Sequence, residues 1–385
     1  MIDRCPAEFN DCVFRELSSV LFESLSRKDQ RARGTDYLRG LLGAHGRRTI
    51  RNIAAIFGDP AAQQGLHHFI SNSTWEWSPV RHALARFLVE RLRPAAWVVE
   101  PMIIPKWGVT AIGVDRLYSP ESGQVVNAQQ AIGVWAVTEW LSSPVNWRLQ
   151  LSSAWLEEAV RRRAGIPEGV AGRSLGECAV EAAVETGSEW GLLDLPVIVD
   201  ARQVDVSFMI GSLRRAGVPF LARVRDDLPL VPGVPGSATG YAGQLMRGAW
   251  DRVRPVVRRS QQGAIAGVEL AAVVTGVGMV PAGGCDGSVV EVSLLGVGES
   301  REQWPGELWL TDMVSAPVVA LARLSALPRR IDQDCREGAG RLGIRDFGGR
   351  TYGAWHRHVT LVSAAHAVLT LQERPGRWHA DCCNR

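Results

Sequence analysis

The chain has 385 residues, a length that fits two or three domains or one core domain with insertions. Hydrophobic residues make up 46% and charged residues 22%, a globular composition that excludes a disordered chain. With 43 basic and 40 acidic residues the formal net charge is only +3, which excludes a polybasic, histone-like protein but not a local basic patch. The heavy use of Arg, Ala, Gly and Val is typical of a high-GC bacterial genome.

The cysteines and the apolar stretches indicate the compartment. Seven cysteines occur with no CxxC pair and no zinc-type spacing, and an odd number without a framework predicts reduced thiols. The N-terminus lacks the uninterrupted apolar core of a signal peptide. The most apolar long stretch, residues 263–281, contains Glu269 and several glycines, which favours strands over a membrane span. We therefore expect a soluble, cytoplasmic protein with no membrane contact.

The first 95 residues are helical in pattern. Apolar side chains recur at helix spacing over residues 80–88, and arginines alternate with them, so that they are expected on the other faces of the helix. The arginines concerned are Arg81, Arg86, Arg91 and Arg93. Two interpretations stay open for this basic face, namely a solvated surface and a nucleic-acid contact.

From residue 96 the pattern changes to strands that alternate with helices. The apolar run 97–99 ends in Glu100, and the apolar run 195–199 ends in Asp200. Such alternation predicts an α/β fold with a mixed or parallel sheet.

Glycine and proline become frequent over the next part of the chain, and its apolar runs are short, which predicts a β-rich insertion. A further strand and two helical stretches follow it. The predicted organisation is an N-terminal helical domain over 1–95, a core over 96–225, the insertion over 226–305, and the C-terminal part of the core over 306–385.

Common catalytic motifs are absent from the sequence. It contains no P-loop, no strand-linked GxGxxG, no GxSxG elbow and no HExxH. His358 and His366 are spaced so that both could lie near one helix face, and this arrangement favours packing over metal binding.

Three carboxylates lie where predicted elements meet. Glu100 and Asp200 end strands, and Asp332 opens a helix after the insertion. Acidic side chains at neighbouring strand ends, completed by one from a helix, can hold two divalent cations that activate water and stabilise a leaving oxygen. Among 40 acidic residues such spacing is a weak indication, and Mg²⁺ or Mn²⁺ is expected only if this site is intact.

Blocks of sequence over most of the chain carry a more specific pattern. They are YLRGLLGAHGRRTIRNIA (37–54), HHFISNSTWEWSPVR (67–81), WVVEPMIIPKWG (97–108), RLYSPESGQVVNAQ (116–129), PVNWRLQL (144–151), RRRAGIPE (161–168), VIVDARQVD (197–205) and GRTYGAWHRHVTLVSAAHAVL (349–369). In these blocks almost the whole chain resembles the DDE transposases of bacterial insertion sequences. The resemblance implies an RNase H-like mixed sheet flanked by helices, and a catalytic acid triad at Glu100, Asp200 and Asp332.

The chain departs from the family pattern at its catalytic positions. Glu100 stands where the family has Asp, and Asp332 stands where it has Glu. Ser325, Pro328 and Ala339 stand where the family has a Tyr, an Arg and a Lys that orient DNA phosphates. Because a misplacement of about 1 Å can slow catalysis roughly a hundredfold, we expect DNA strand transfer to be lost or impaired. DNA binding through the N-terminal helices is the function expected to remain.

The alternative is a repurposed enzyme that uses the old catalytic cleft on a small molecule, for example in specialised metabolism. Met102 and Ile104 would then form an apolar wall, which favours an organic ligand. Lys106 and Arg116 would be further binding residues. Such an activity would be metal-independent, with the strand-end carboxylates as general acid and base. The sequence predicts no particular oligomeric state.

Overall fold

The computed structural model describes residues 11–120, 122–192, 194–232, 239–279, 290–334 and 342–372, except the side chains at 332 and 333. Cys382, Cys383 and Ala339 lie outside these ranges. None of the helices in the described ranges is both long and apolar enough to cross a membrane.

The N-terminal region is helical, as its periodicity predicts. Its helices are α1 (Asp11–Leu21), α2 (Lys28–Gly43), α3 (Ile50–Ala55), α4 (Pro60–Ser71) and α5 (Trp77–Leu92). Side chains at two N-termini satisfy backbone N–H groups that have no partner within the helix: Thr49 accepts from Asn52, and Asp59 accepts from Ala61.

The central sheet has the strand order of an RNase H-like fold. Its first six strands are β1 (Ala96–Pro105), β2 (Val114–Ser119), β3 (Gln124–Val137), β4 (Ser142–Leu149), β5 (Val197–Asp200) and β6 (Phe220–Val224). β3 pairs antiparallel with β1, β2 and β4, while β1, β5 and β6 run parallel in adjacent positions. The spatial order β4–β3–β1–β5–β6 confirms the predicted mixed α/β fold.

The later strands extend this sheet and do not form a separate one. They are β7 (Pro229–Pro232), β8 (Gly240–Tyr241), β9 (Arg254–Arg259), β10 (Ile265–Met279), β11 (Val290–Gly298) and β12 (Glu307–Thr311). β12 pairs antiparallel with β6, and β11 with β12, so that the strands rich in glycine continue the core sheet. The long apolar stretch around Glu269 is strand β10, in line with its glycine content.

The other helices connect or cover the strands. They are α6 (Ser153–Leu156), α7 (Glu158–Ala164), α8 (Leu175–Val184), α9 (Val206–Arg215), α10 (Ala242–Gly248), α11 (Val318–Ser325), α12 (Pro328–Asp334) and α13 (Tyr352–Gln372). Helix α13 is buried along nearly its whole length and contacts β4, α2 and α5. A helix that is apolar on all sides belongs inside a protein, and α13 forms the centre of the helical layer.

The histidines of α13 are packing residues. His356, His358 and His366 are all at most 3% exposed. His358 accepts a hydrogen bond from the Tyr37 hydroxyl at 2.8 Å and donates to the Gly343 carbonyl at 3.0 Å, which fixes its proton on Nε2. The spacing of these residues therefore serves the core.

The structure places Arg81 differently from the sequence-based expectation. The expectation that it lies on an outer face of its helix is wrong, because Arg81 is only 1% exposed. Its guanidinium donates to Thr360 Oγ1 at 2.8 Å, to the Trp147 carbonyl at 2.8 Å and to His356 Nδ1 at 3.0 Å. A charge can be buried where several acceptors replace water, and the helix periodicity gives no indication of such partners.

Candidate functional site

Glu100 and Asp200 lie side by side on adjacent strands. In the parallel pairing of β1 with β5, Val99 is opposite Val199, so the next residues, Glu100 and Asp200, are at the same level. Asp200 is the last residue of β5, but β1 continues to Pro105, so the expectation that Glu100 ends its strand is wrong. Both side chains are partly exposed, at the point where the buried apolar runs end. The parallel register brings the two acids together, and β1 extends beyond Glu100 because it stays paired with β3 as far as Pro105.

Asp200 is held by an arginine two residues further along the chain. Arg202 Nε donates to both carboxylate oxygens of Asp200, at 2.9 and 3.0 Å, and its Nη2 donates to Oδ2 at 2.5 Å. The backbone N–H of Arg202 also donates to Oδ1, at 3.0 Å. Charge-assisted bidentate pairs are the strongest class of protein hydrogen bonds, so both oxygens of this carboxylate are committed.

The charges of the two residues stabilise each other. Burial raises the pKa of Asp200, but the hydrogen bonds from Arg202 outweigh it, and the net pKa lies below the ordinary value. The hydrogen bonds to Asp200 raise the pKa of Arg202, and the charges of Asp200, Glu307 and Glu100 raise it further. Arg202 therefore lies within the electrostatic field of both Glu100 and Asp200, and its charge partly neutralises theirs.

Further ion pairs continue from this point across the sheet. Glu307 on β12 pairs with Arg223 at 3.1 Å and with Arg329 at 3.2 Å. Arg329 also pairs with Glu269 at 2.9 Å, and Glu269 pairs with Arg258 at 2.6 Å. The Glu269 side chain is only 6% exposed, so this carboxylate is buried between two guanidinium groups. The network ties α12 to strands β10 and β12.

Helix α12 is fixed at its other end as well. Asp334 accepts hydrogen bonds from the backbone N–H and hydroxyl of Ser142, at 2.9 and 2.7 Å, and it also pairs with Arg330. Asp332 belongs to this helix, but its side chain lies outside the described part of the structure. The backbone of the third predicted acid is therefore anchored from both ends of α12.

Two of the three positions predicted to replace the family's phosphate-binding residues lie in the described structure. Ser325 is buried near the end of α11, and its hydroxyl donates back to the Ala322 carbonyl at 2.9 Å. Pro328 is the first residue of α12, where a proline is well accommodated. Ala339 lies outside the described residues.

The four predicted binding residues do not form one site. Ile104 is completely buried in the core, and Met102 is partly buried against it. Lys106 donates from Nζ to the carbonyls of Arg345 and Phe347, at 3.0 and 2.7 Å, and burial lowers its pKa to about 8. The exposed Arg116 lies on β2. Lys106 thus holds a loop that precedes α13.

The described residues do not fit a divalent-metal centre. Within the ranges given above, no group of three or more His, Cys, Asp or Glu side chains is arranged to hold a metal ion. Two carboxylates, Glu100 and Asp200, are adjacent, but Arg202 occupies both oxygens of Asp200. A two-metal site needs carboxylate oxygens that are free to bridge or bind the ions.

Sequence reasoning missed three residues that shape this site. Arg202 could have been found, because an arginine two residues after a strand-end acid can fold back onto it. Glu269 also gave an indication, as a single charge within a long apolar run, which is expected to be paired when buried. Arg329 gave none, because its partners come from strands that are remote in sequence.

A separate cavity of about 730 Å³ opens beside β3, near the point where the pairing partner of β3 changes from β2 to β4. Its polar lining includes Asp115, Gln130 and Ser152, with Ser152 Oγ donating to Asp115 at 3.2 Å. Glu100 and Asp200 are not among its lining residues.

Comparison with known families agrees with this fold. A family model described as DDE superfamily endonuclease matches residues 20–262, which is more than half of the chain and includes Glu100 and Asp200. The chain therefore belongs to the DDE superfamily endonuclease family, and its ancestry is transposase-like. A search of curated proteins found no match.

Proposed function

We propose that this chain is a DNA-binding protein of transposase ancestry in which strand transfer is lost or strongly impaired. The observation that carries the proposal is the bidentate pair between Arg202 and Asp200. A metal ion would first have to displace this guanidinium, since it occupies the one acid that keeps the family's residue type. Membership of an endonuclease family supports DNA as the class of partner.

The departures from the family pattern support the same conclusion. Glu100 is one methylene longer than the family's Asp, and Asp332 is one shorter than its Glu, so each carboxylate is displaced by about a bond length. The hydroxyl of Ser325 is used within its own helix, and Pro328 carries no donor. Donors aimed at developing charge are a large source of catalysis, and their loss slows phosphoryl transfer.

A cleavage assay tests the loss of activity. The substrate is supercoiled plasmid carrying the DNA that flanks the gene, incubated with Mg²⁺ or Mn²⁺ and the purified chain. We expect the wild type to nick this plasmid no faster than Asp200→Asn, and no faster than the surface control Asp227→Asn. Nicking by the wild type and the control that Asp200→Asn abolishes would contradict the proposal.

A binding assay tests the retained interaction. Fluorescence anisotropy with labelled single- and double-stranded oligonucleotides should give dissociation constants of about 10⁻⁴–10⁻⁶ M at physiological salt, which tighten as salt falls. Absence of binding to both oligonucleotides at low salt would overturn the proposal, because a transposase-derived DNA-binding protein must contact phosphates.

The second candidate function is a repurposed activity on a small molecule. The observation that favours it is the 730 Å³ cavity beside Asp115, a volume in the range of small-molecule sites. A thermal-shift ligand screen, followed by Asp115→Asn, tests this candidate. Binding that is lost in Asp115→Asn and kept in Glu158→Gln, a control whose side chain is 93% exposed, would support it. A screen without any hit that depends on Asp115 would reject it.

A further inference from the structure

Three loops meet where strand β1 ends. The loop that follows β1 lies against the loop that precedes α13, because Lys106 Nζ donates to the carbonyls of Arg345 and Phe347 at 3.0 and 2.7 Å. The backbone N–H of Ile112 donates to the Gly349 carbonyl at 3.1 Å. These bonds join segments that are more than 200 residues apart in the chain.

The third loop connects α2 to α3. The carboxylate of Asp346 accepts the backbone N–H of Arg48 at 2.7 Å and pairs with the Arg47 guanidinium at 3.3 Å. The Arg47 side chain is still 61% exposed. All three loops are therefore fixed to one another by hydrogen bonds that involve backbone groups, and together they form one surface.

This surface, which we call the basic surface, comprises residues 45–52, 106–113 and 343–350. It carries six cationic side chains and one carboxylate, whereas the whole chain has a net charge of only +3. The cationic residues are Arg47, Arg48, Arg51, Lys106, Arg345 and Arg350. Positive charge that is scarce in the chain as a whole is concentrated here, which is the electrostatic pattern of a phosphate-binding surface.

Three of these cations are available to a ligand. Arg51, Arg345 and Arg350 are exposed, and none of them forms an ion pair with any residue that the structure describes. By contrast, the guanidinium of Arg48 is used internally, since it donates to the carbonyls of Leu41 and Gly46. Two of the three available cations thus lie on the loop that Lys106 holds in place.

An aromatic side chain projects from the same surface. Trp107 is 95% exposed, and Val109 close by is 65% exposed. An indole left almost entirely in water keeps its ring face open to a ligand at this surface. Exposed aromatic rings interleaved with cations are typical of single-stranded nucleic-acid sites, where bases stack on the rings and cations follow the phosphates.

The neighbouring strand extends the pattern. The backbone N–H of Lys106 donates to the Asn127 carbonyl on β3, and Asn127 is opposite Arg116 on β2. Arg116 is exposed, and Tyr118, on the same face of β2, is 61% exposed. A cation and an aromatic ring therefore lie one strand away from the Trp107 loop.

We propose that the basic surface binds DNA in which at least one base is unpaired, with Arg345 and Arg350 on phosphates and Trp107 stacked on the unpaired base. The inference rests on the proposed DNA binding and assigns it to a surface. Trp107 is seven residues after Glu100, and seven residues span at most about 25 Å. DNA bound here would therefore reach Glu100 within about seven base steps of about 3.4 Å each.

Anisotropy titrations of the full chain with a labelled 20-nucleotide single strand and with its duplex test the proposal. We expect Trp107→Ala to weaken binding of the single strand about tenfold, with a smaller effect on the duplex, and Trp107→Phe to restore most of the loss. The double variant Arg345→Ala/Arg350→Ala should weaken both ligands. It should also lower the salt dependence of single-strand binding by about 1.4, as expected for two lost phosphate contacts.

Two matched controls lie elsewhere on the molecule. Tyr241→Ala removes an aromatic residue that is 51% exposed, and Arg252→Ala removes an exposed arginine outside the N-terminal helices. Both should bind like the wild type, and circular dichroism should show all variants folded.

If the wild type binds DNA and the variants of Trp107, Arg345 and Arg350 bind equally well, this inference is wrong while the proposed function stands. If the wild type binds no DNA, the proposed function itself fails. An equal loss on both ligands in Trp107→Ala would reject base stacking.

Discussion

Arg81 donates a hydrogen bond to His356 Nδ1 at 3.0 Å, although 275 residues separate them. The pair joins α5, at the end of the N-terminal helices, to the buried helix α13 near the end of the described chain. Since Nδ1 accepts from a guanidinium, the His356 ring is neutral with its proton on Nε2. Burial and the charge of Arg81 both keep the pKa of His356 well below its usual value.

Replacement of Arg81 should be among the most destabilising substitutions. Arg81→Met removes the donor that serves buried acceptors on Thr360, Asn146 and Trp147, although Asn146 Oδ1 still accepts from the Trp147 N–H. We expect a loss of about 3 kcal/mol or more in the free energy of unfolding. Urea denaturation measures it. The control Arg86→Ala, on the exposed face of the same helix, should change this free energy by less than about 0.5 kcal/mol. Similar values for both variants would contradict the role of the buried network.

Acid should destabilise the protein through the histidines of α13. Burial lowers the pKa values of His358 and His366 to about 4. Between pH 4 and 6.5 the unfolded chain therefore binds more protons than the folded one, and the free energy of unfolding falls as the pH drops through this window. Each histidine contributes at most about 1.4 kcal/mol per pH unit. Denaturation curves from pH 4.5 to 8 should show this slope, and His366→Gln should reduce it. An unchanged slope in the variant would assign the acid sensitivity to other groups.

Lys106 should produce a window of the same sign at alkaline pH. Burial lowers its pKa to about 8, while the unfolded value is near 10.5. The unfolded chain binds more protons between these values, so stability contributed by this site rises with pH from about 8 to 10.5. The neutral amine can still donate to the two loop carbonyls. Lys106→Met should remove this rise in stability. Lys28→Met, which replaces the other lysine of the chain, should keep it. A rise that persists in Lys106→Met would contradict the assignment.

Removal of Arg202 should expose the Asp200 carboxylate. We expect the wild type to bind Mn²⁺ weakly or not at all, and Arg202→Ala to bind it more tightly, since two carboxylate oxygens become free. Isothermal titration calorimetry measures the difference. The gain should disappear in the double variant Arg202→Ala/Asp200→Asn. Because the pair is partly exposed, the free energy of unfolding should change by only about 1 kcal/mol or less. Tight Mn²⁺ binding by the wild type would show that the guanidinium is easily displaced.

The buried Glu269 should determine how firmly α12 is held. Glu269→Gln leaves Arg258 without its charged partner and leaves Arg329 with Glu307 alone. We expect a loss of about 1–3 kcal/mol, less than for a fully buried pair because both guanidinium groups reach water. Hydrogen exchange should become faster in α12, and the exposed control Glu299→Gln should leave it unchanged. Unchanged exchange in Glu269→Gln would mean that the bonds between Asp334 and Ser142 suffice to fix the helix.

Local patterns predicted most of the fold correctly. The apolar runs before Glu100 and Asp200 became adjacent parallel strands, because uninterrupted apolar segments of this length are buried in the middle of a sheet. Glycine-punctuated segments became the strands of the later part of the sheet. The sequence did not predict that these strands join the core sheet through the pairing of β12 with β6. The residue pattern within a strand does not specify which distant strand it pairs with.

The sequence by itself determined the α/β class and the family, since these depend on residue type and on spacing along the chain. The tertiary structure alone decided which charges neutralise each other. Arg81 is buried in the core. Lys106 donates a hydrogen bond to the carbonyl of Arg345, 239 residues away along the chain, and Glu269 pairs with Arg329 on α12. The reason is physical: a charged side chain takes its role from the acceptors and charges that folding brings within about 3 Å, and for distant pairs the spacing along the chain carries no information about them.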